Sequence, residues 1–294
     1  MFKTLDDLEV AGKRVLVRAD LNVPVHNGKV SDVTRIERLI PTLSTLLEKK
    51  ARIIVLSHFG RPKGQVVPEL TLKPVADALS EVLGGKSVAF SEDCIGPEAA
   101  LVVNALQDGE IAVLENLRFH LGEEANAPDF VAELAKLGDL YVNDGFSVSH
   151  RAHASTTDIA KHLPSAAGAN MQAELAALEA ALDNPQKPVG AIIGGAKVSS
   201  KLDVLSNLVE CMDFLVIGGG MANTFLHALG TDIGASLCEK DLAGTANAIM
   251  AKANDVGCEI VLPSDVVIAM KLEAGIATDV IPVAGVPSDQ MILD

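Results

Sequence analysis

The sequence lacks tryptophan altogether and has one tyrosine and eight phenylalanines among 294 residues. That excludes a platform on which nucleic-acid bases stack. No apolar run approaches the ~18 residues of a membrane-spanning helix, and no basic-then-apolar leader opens the chain. Positive charge is also in deficit: 24 Lys and Arg face 39 Asp and Glu, a formal charge of −15. A protein held on nucleic acid or anionic lipid by bulk charge is thereby excluded. The four cysteines (Cys94, Cys211, Cys238 and Cys258) stand far apart with no close-spaced metal or redox pair. They are expected to be reduced core thiols of a cytoplasmic protein.

What is present is ample apolar material, 49% of residues with 21% charged, enough to build real cores. At roughly 150 residues per domain, the length predicts two domains. All eight arginines lie within the first 151 residues, which carry a net charge of −5; residues 152–294 carry no Arg and a net of −10. Guanidinium grips carboxylate and phosphate bidentately, so the first half is the candidate for handling a small anion, although scattered arginines also make ordinary ion pairs.

Short β-rich runs alternate with helical periodicity, which predicts parallel α/β construction. Strands are expected at 14–18, 52–56, 110–115 and 139–143, then at 189–193, 213–217, 258–262 and 289–293. One helix shows Ile36, Leu39, Ile40, Leu43, Leu46 and Leu47 on one face, beginning near Ser31 or Asp32 and interrupted by Pro41. A second carries Leu72, Val75, Ala76, Leu79, Val82 and Leu83, and a third Leu202, Leu205, Leu208 and Val209 with Ser199 as N-cap. Residues 170–184, rich in Ala, Leu and Glu, form a joining helix that stops at Asn184-Pro185. The strand at 290–294 stops where a loop should follow, so the polypeptide is expected to be incomplete.

Ligands of open parallel sheets bind beyond the carboxyl ends of strands, and polar residues recur there. Strand 14–18 runs into Asp20-Leu21-Asn22, strand 52–56 into His58-Phe59-Gly60-Arg61, strand 110–115 into Arg118, and strand 139–143 into Asp144 and then His150-Arg151-Ala152-His153. Arg35 follows in the first turn of a helix, where the dipole favours an anion. Singly, each has a plainer reading: turn formers, a satisfied histidine, surface ion pairs. Together they predict a shared anion pocket.

In the second half, two strands open into Gly194-Gly195-Ala196-Lys197-Val198-Ser199-Ser200-Lys201 and Gly218-Gly219-Gly220. Such glycines permit close backbone approach to a phosphorylated ligand, and equally suit tight strand-to-helix turns. Lys197 and Lys201, four apart, are expected on one face of a helix start. Neither loop has P-loop or dinucleotide-fingerprint spacing.

These segments, with Arg18-Ala19-Asp20-Leu21-Asn22-Val23-Pro24, Ser57-His58-Phe59-Gly60-Arg61-Pro62, Glu115-Asn116-Leu117-Arg118-Phe119 and His150-Arg151-Ala152-His153-Ala154-Ser155, resemble, in order, the motifs of the phosphoglycerate kinase family. The resemblance spans residues 3–294. It implies two Rossmann-like doubly wound domains with a cleft between them: 1–170 binding 3-phosphoglycerate, 171–187 as helix and hinge, and an incomplete nucleotide domain at 188–294. It implies reversible transfer of phosphate between ATP and the carboxylate of 3-phosphoglycerate, in glycolysis and gluconeogenesis, by a cytoplasmic monomer that touches neither nucleic acid nor membrane. The implied substrate residues are Asp20, Leu21, Asn22, Arg35, His58, Phe59, Gly60, Arg61, Arg118 and Arg151. The implied nucleotide residues are Gly194, Gly195, Lys197, Lys201, Gly218, Gly219 and Gly220, and the implied catalytic residues Arg35, Lys197 and Lys201. Phe59 and Gly145 depart from the family's frequent Leu and Ala. The family runs on past residue 294 through an acidic ribose contact and a Gly-Gly-Gly-Asp loop that holds phosphates and metal, so no ligand is assigned to the implied Mg²⁺. Two rival expectations stand beside this one: a nucleotide-dependent enzyme acting on another small anion, and a form that binds phosphoglycerate without turnover.

Overall fold

A computed structural model describes residues 2–183 and 185–293. In the first unit, which runs to Ala177, the elements are β1 (Arg14–Arg18), a hairpin of β2 (Val25–His26) and β3 (Lys29–Val30), α1 (Thr34–Glu48), β4 (Arg52–Leu56), α2 (Lys73–Val82), β5 (Val88–Ser91), α3 (Gly96–Ala105), β6 (Ile111–Leu114), α4 (Leu121–Glu124), α5 (Pro128–Ala135), β7 (Leu140–Asn143), α6 (Ile159–His162) and β8 (Ser165–Ala167), and α7 (Ala169–Leu182) runs across its end. Six strands form one sheet in the order β5-β6-β4-β1-β7-β8, and every neighbouring pair is parallel.

Side-chain alternation makes this sheet doubly wound. Val15, Val17, Ile53, Val55, Ile111, Val113, Leu140 and Val142 face a core completed by Ile36, Leu39, Leu43 and Leu46 of α1 and Val75 and Leu79 of α2. Leu16, Ile54, Leu56, Ala112, Leu114 and Tyr141 face the opposite core, completed by Val103 of α3 and Val131 and Leu134 of α5. A strand buried on both faces reads as a continuous apolar run, which is why β1, β4, β6 and β7 are legible in the sequence. The shorter β5 and β8, with small residues and partial exposure, are not.

Helix α1 differs from expectation at two points. It begins at Thr34, whose N–H donates to Asp32 Oδ1 at 2.8 Å, and it runs through Pro41 without interruption. An interior proline costs roughly 3 kcal/mol. Here four fully or nearly buried side chains on one face, Ile36, Leu39, Leu43 and Leu46, hold the helix across it.

The second unit, from Leu178, contains β9 (Gly190–Gly194), α8 (Leu202–Cys211), β10 (Phe214–Gly218), α9 (Gly219–Ala228), α10 (Ala243–Val256), β11 (Glu259–Val261), β12 (Asp265–Ala269), β13 (Asp279–Pro282) and β14 (Met291–Ile292). Strands β9, β10 and β11 form a parallel sheet over a core of Leu205, Val209, Leu215, Ile217, Phe225 and Ile249. A separate antiparallel sheet pairs β12 with β13 and β14. The segment expected as a strand at 289–293 is thus an antiparallel partner, Ile268 opposite Ile292. Strands β12 and β13 were not foreseen. Asn184, the expected end of the joining helix, and Asp294 lie outside the described residues.

The cysteine expectation holds in part. All four thiols are free, with Cys94 and Cys258 buried, but Cys211 is exposed and Cys238 intermediate. Cys211 is the last residue of α8, past the stripe that buries Leu205 and Val209.

Candidate active site

The strand order reverses between β1 and β7, and a crevice opens outside the carboxyl ends of strands at such a point. A cavity of about 330 Å³ occupies it, lined among others by Asp20, Arg35, Arg38, Asp144, Gly145 and Ser147. Strands β6, β4, β1 and β7 lie side by side, so the four polar strand ends expected to share one rim do so.

Asp20 follows β1 and is already engaged. Its Oδ2 accepts from Arg35 and from the Ser147 hydroxyl, each at 2.5 Å, and its Oδ1 accepts from Asn22 N–H at 3.2 Å. Burial pushes the carboxyl's pKa up; Ser147, Arg35 and Asn22 outweigh that and hold it below the usual carboxylate range. Asn22 accepts from Gly60 N–H at 3.0 Å. Gly60 has φ of +59°, and a side chain there would stand 2.7 Å from Leu70 Cδ2, so only glycine fits this turn.

His58, after β4, does not line that cavity; it is buried beside Arg18. It is 4% exposed, and Arg18 lies 3.1 Å away with its guanidinium on Nδ1. Arg18 can only donate, so Nδ1 accepts and the neutral ring carries its proton on Nε2. Burial, then the positive charges of Arg18 and Arg118, push the His58 pKa down to about 3, with Arg151 adding to them and Asp20 opposing. Three arginines thus bear on one uncharged imidazole. Arg118, 5% exposed, donates to Gly60 C=O at 2.8 Å. Its Nε lies 3.1 Å from Glu124 Oε1 at an angle that leaves the buried N–H without a hydrogen bond.

Because the folded-state pKa of His58 is depressed, the unfolded chain binds the extra proton first. The stability His58 contributes is complete above pH 6.5 and is lost as pH falls towards about 3. Urea denaturation between pH 7 and pH 4 is expected to show a shallower loss of stability in His58→Gln than in the wild type. Equal slopes would remove His58 as a source of the pH dependence.

Several expected residues have structural duties. Leu21 lies wholly in the core, with its N–H donating to Ser57 Oγ at 2.9 Å, so it offers a ligand no side chain. Phe59 is 7% exposed and exchanges two hydrogen bonds with the Asn116 amide. Arg61 is exposed and makes no ion pair among the described residues. Arg151 Nε lies 3.4 Å from His150 Nε2.

Residues outside the implied substrate set form a buried polar network around these strand ends. Arg18, 1% exposed, donates from Nε to Ser155 Oγ at 2.8 Å and from Nη1 to Ala19 C=O. Ser155 sits in a π turn, Ala154–Asp158, and donates from Oγ and N to the fully buried Glu123 carboxylate at 2.6 and 3.0 Å. Asp144, raised in pKa by burial, accepts from Thr42 at 2.7 Å and from Met171 N–H at 3.0 Å, capping α7. A charge pair spread over residues 18, 123 and 155 leaves no sequence signal beyond the identities themselves.

In the second unit the two glycine loops meet. Met221 N–H donates to Gly195 C=O at 2.7 Å. Gly219 has φ of +63°, and a side chain there would stand 3.5 Å from Gly195 N and O. Lys197 and Lys201 do not share a helix face, because α8 begins only at Leu202 and Ser199–Lys201 form a 3₁₀ turn. Ser199 does not cap α8 either; its hydroxyl donates to Glu239 at 2.5 Å. Lys201 Cε lies 3.4 Å from where a Cβ on Gly195 would stand, so its stem runs along the glycine backbone.

A family model described as phosphoglycerate kinase matches residues 5–294. The chain is 59% identical over 294 residues to a phosphoglycerate kinase of Sinorhizobium medicae, covering all of this chain and 73% of that one. It is 56% identical over 293 residues to one of Cereibacter sphaeroides, covering 74% of it. Its fold matches the phosphoglycerate kinase structure from Coxiella burnetii with a TM-score of 0.84 at 39% identity, over all of this chain and 74% of that one. The Pyrococcus horikoshii enzyme matches with a TM-score of 0.80 at 30% identity, over all of this chain and 75% of that one. With the family model matched over nearly its whole length and relatives this similar, the chain belongs to the phosphoglycerate kinase family.

Proposed function

We propose that the protein catalyses reversible phosphoryl transfer between ATP and the carboxylate of 3-phosphoglycerate, giving ADP and 1,3-bisphosphoglycerate. The observation that carries this reading is the convergence of Arg18, Arg118 and Arg151 on a neutral His58 beside the Asp20–Arg35 pair. Arg18 sits on the uncharged ring, and the further positive charge of Arg118 and Arg151 around it favours an anion. Arg61, Arg118 and Arg151 hold the substrate's own phosphate, with His58 donating from Nε2. Asp20 and Asn22 orient its hydroxyl end. The acceptor carboxylate is ionised at pH 7, so no general base is required; the site must supply position and positive charge. Arg35 and Lys201 meet the transferring group.

The close-packed glycine loops and the Lys201 stem along them fit a nucleotide's phosphates, with Lys197, Gly194, Gly195, Gly218, Gly219 and Gly220 as its contacts. Mg²⁺ is implied by the family and is assigned no ligand here. On this reading, residues 1–170 hold the acceptor, 188–294 the nucleotide, and 171–187 the hinge on which closure excludes water. Solution scattering with both ligands is expected to show a smaller radius of gyration than without; superimposable curves would sink the closure. The setting is glycolysis and gluconeogenesis in the cytoplasm, as a monomer; no helix among the described residues is long and apolar enough to cross a membrane.

Calorimetry with 3-phosphoglycerate alone, beside a coupled assay with ATP and Mg²⁺, tests the reading. Turnover supports it in full. Binding without turnover favours the second reading, an intact acceptor site whose nucleotide side does not complete the reaction. Neither signal from a folded chain would refute the substrate assignment.

A further inference from the structure

Away from that pocket, towards the edge of the first sheet, three side chains of different chemistry meet. The turn after β5 supplies Asp93 and Cys94, and the turn after β6 supplies His120. One carboxylate oxygen, the Cys94 sulfur and one imidazole nitrogen all lie within 4.8 Å of one another. No sequence spacing announces this group, because His120 is remote from the other two in the chain and next to them only across neighbouring parallel strands.

We propose that Asp93, Cys94 and His120 bind a thiophilic divalent cation of the zinc class. Thiolate, imidazole and carboxylate are the three donor types that Zn²⁺ takes, at about 2.0–2.3 Å, in tetrahedral sites. A sulfur donor selects against Mg²⁺ and Ca²⁺, which prefer oxygen. The donors are held before any ion arrives. Asp93 Oδ1 accepts from Cys94 N–H at 2.6 Å, and Ser91 Oγ donates to the Asp93 carbonyl at 2.8 Å, which sets the β5 turn. His120 stands 5.4 Å, centroid to centroid, from the Phe130 ring.

Access and charge agree with this assignment. The sulfur is buried, so it cannot act on a bulky substrate, but the Asp93 and His120 side chains are 40% and 32% exposed. An ion enters from their side and keeps an open position for water. Glu115 and Glu123 add negative charge around the sulfur and favour a cation. Binding replaces the 2.7 Å contact between His120 Nε2 and Asp93 Oδ1 by two bonds to the metal, and the thiol proton leaves to solvent. The bound ion would tie the β5 turn to the turn that carries Arg118, two residues before His120.

Titration of the full chain with Co²⁺ alone, followed by displacement with Zn²⁺, tests the proposal. The wild type, and a Cys211→Ala, Cys238→Ala double variant, are expected to develop a saturable near-ultraviolet thiolate-to-cobalt band at one ion per chain. Cys94→Ala is expected to lose the band. His120→Gln is expected to weaken binding by at least the roughly tenfold that even an outer partner's loss costs. Should Cys94→Ala not fold, the half-exposed His120→Gln and Asp93→Asn variants decide, and unchanged affinity in both overturns the site. So does an absent band in the wild type, or a band that survives Cys94→Ala or disappears in the double variant.

Discussion

Arg35→Ala is expected to lower turnover by about 10³-fold or more, the scale on which a cation at the transferring phosphoryl group acts. The apparent KM for 3-phosphoglycerate should change far less. Arg35 is the second residue of α1, its side chain is about half exposed at the cavity rim, and among the described residues its one ion pair is with Asp20. Asp20 is largely buried but keeps its hydrogen bonds from Ser147 and Asn22, so the variant should still fold, with some loss of stability. A steady-state comparison separates the outcomes: loss in kcat places Arg35 at the transition state, and loss confined to KM makes it a ground-state anchor. Near-normal values of both would remove it from the chemistry.

Glu123→Ala is expected to destabilise the fold by about 3–5 kcal/mol, the cost of leaving a buried charge without its partner. The stranded charge is Arg18. Burial lowers its pKa, and the Glu123 carboxylate is the largest influence opposing that. The link runs through Ser155, which accepts from Arg18 and donates to Glu123. Loss of Glu123 therefore frees both the arginine and the π turn that carries Ser155. Urea denaturation of Glu123→Ala and Glu123→Gln tests this. The amide can still accept from Ser155, so Gln should cost less than Ala; equal and small losses in both would show that Arg18 needs no counter-charge.

The two variants mark the difference between what was legible and what was not. Asp20, Asn22, Arg35, His58 and Arg118 could be placed at or just beyond strand ends because the strands themselves stand out as apolar runs. Glu123 and Ser155 could not. They lie 32 residues apart in the chain and look like ordinary helix and turn residues until β6 and β7 bring their following turns behind Arg18. Leu21 and Phe59 show the converse. Expected at the substrate, their side chains are buried and support the turns that carry Asn22 and Gly60. Asn116, beside Arg118 in its motif, accepts from the Phe59 and Arg118 N–H groups and donates to the Phe59 and Leu70 carbonyls, and so fixes the loop.

Local pattern settled the parallel α/β class, four central strands and the principal helices, because burial on both faces forces a periodicity that composition can carry. It also settled which chain end of each strand bears the polar groups. Pairing partners, the antiparallel sheet of β12–β14, the course of α1 through Pro41 and the meeting of Asp93, Cys94 and His120 depended on long-range packing. Contacts between residues remote in sequence have no period to read; they exist only when the sheet places its strand ends side by side.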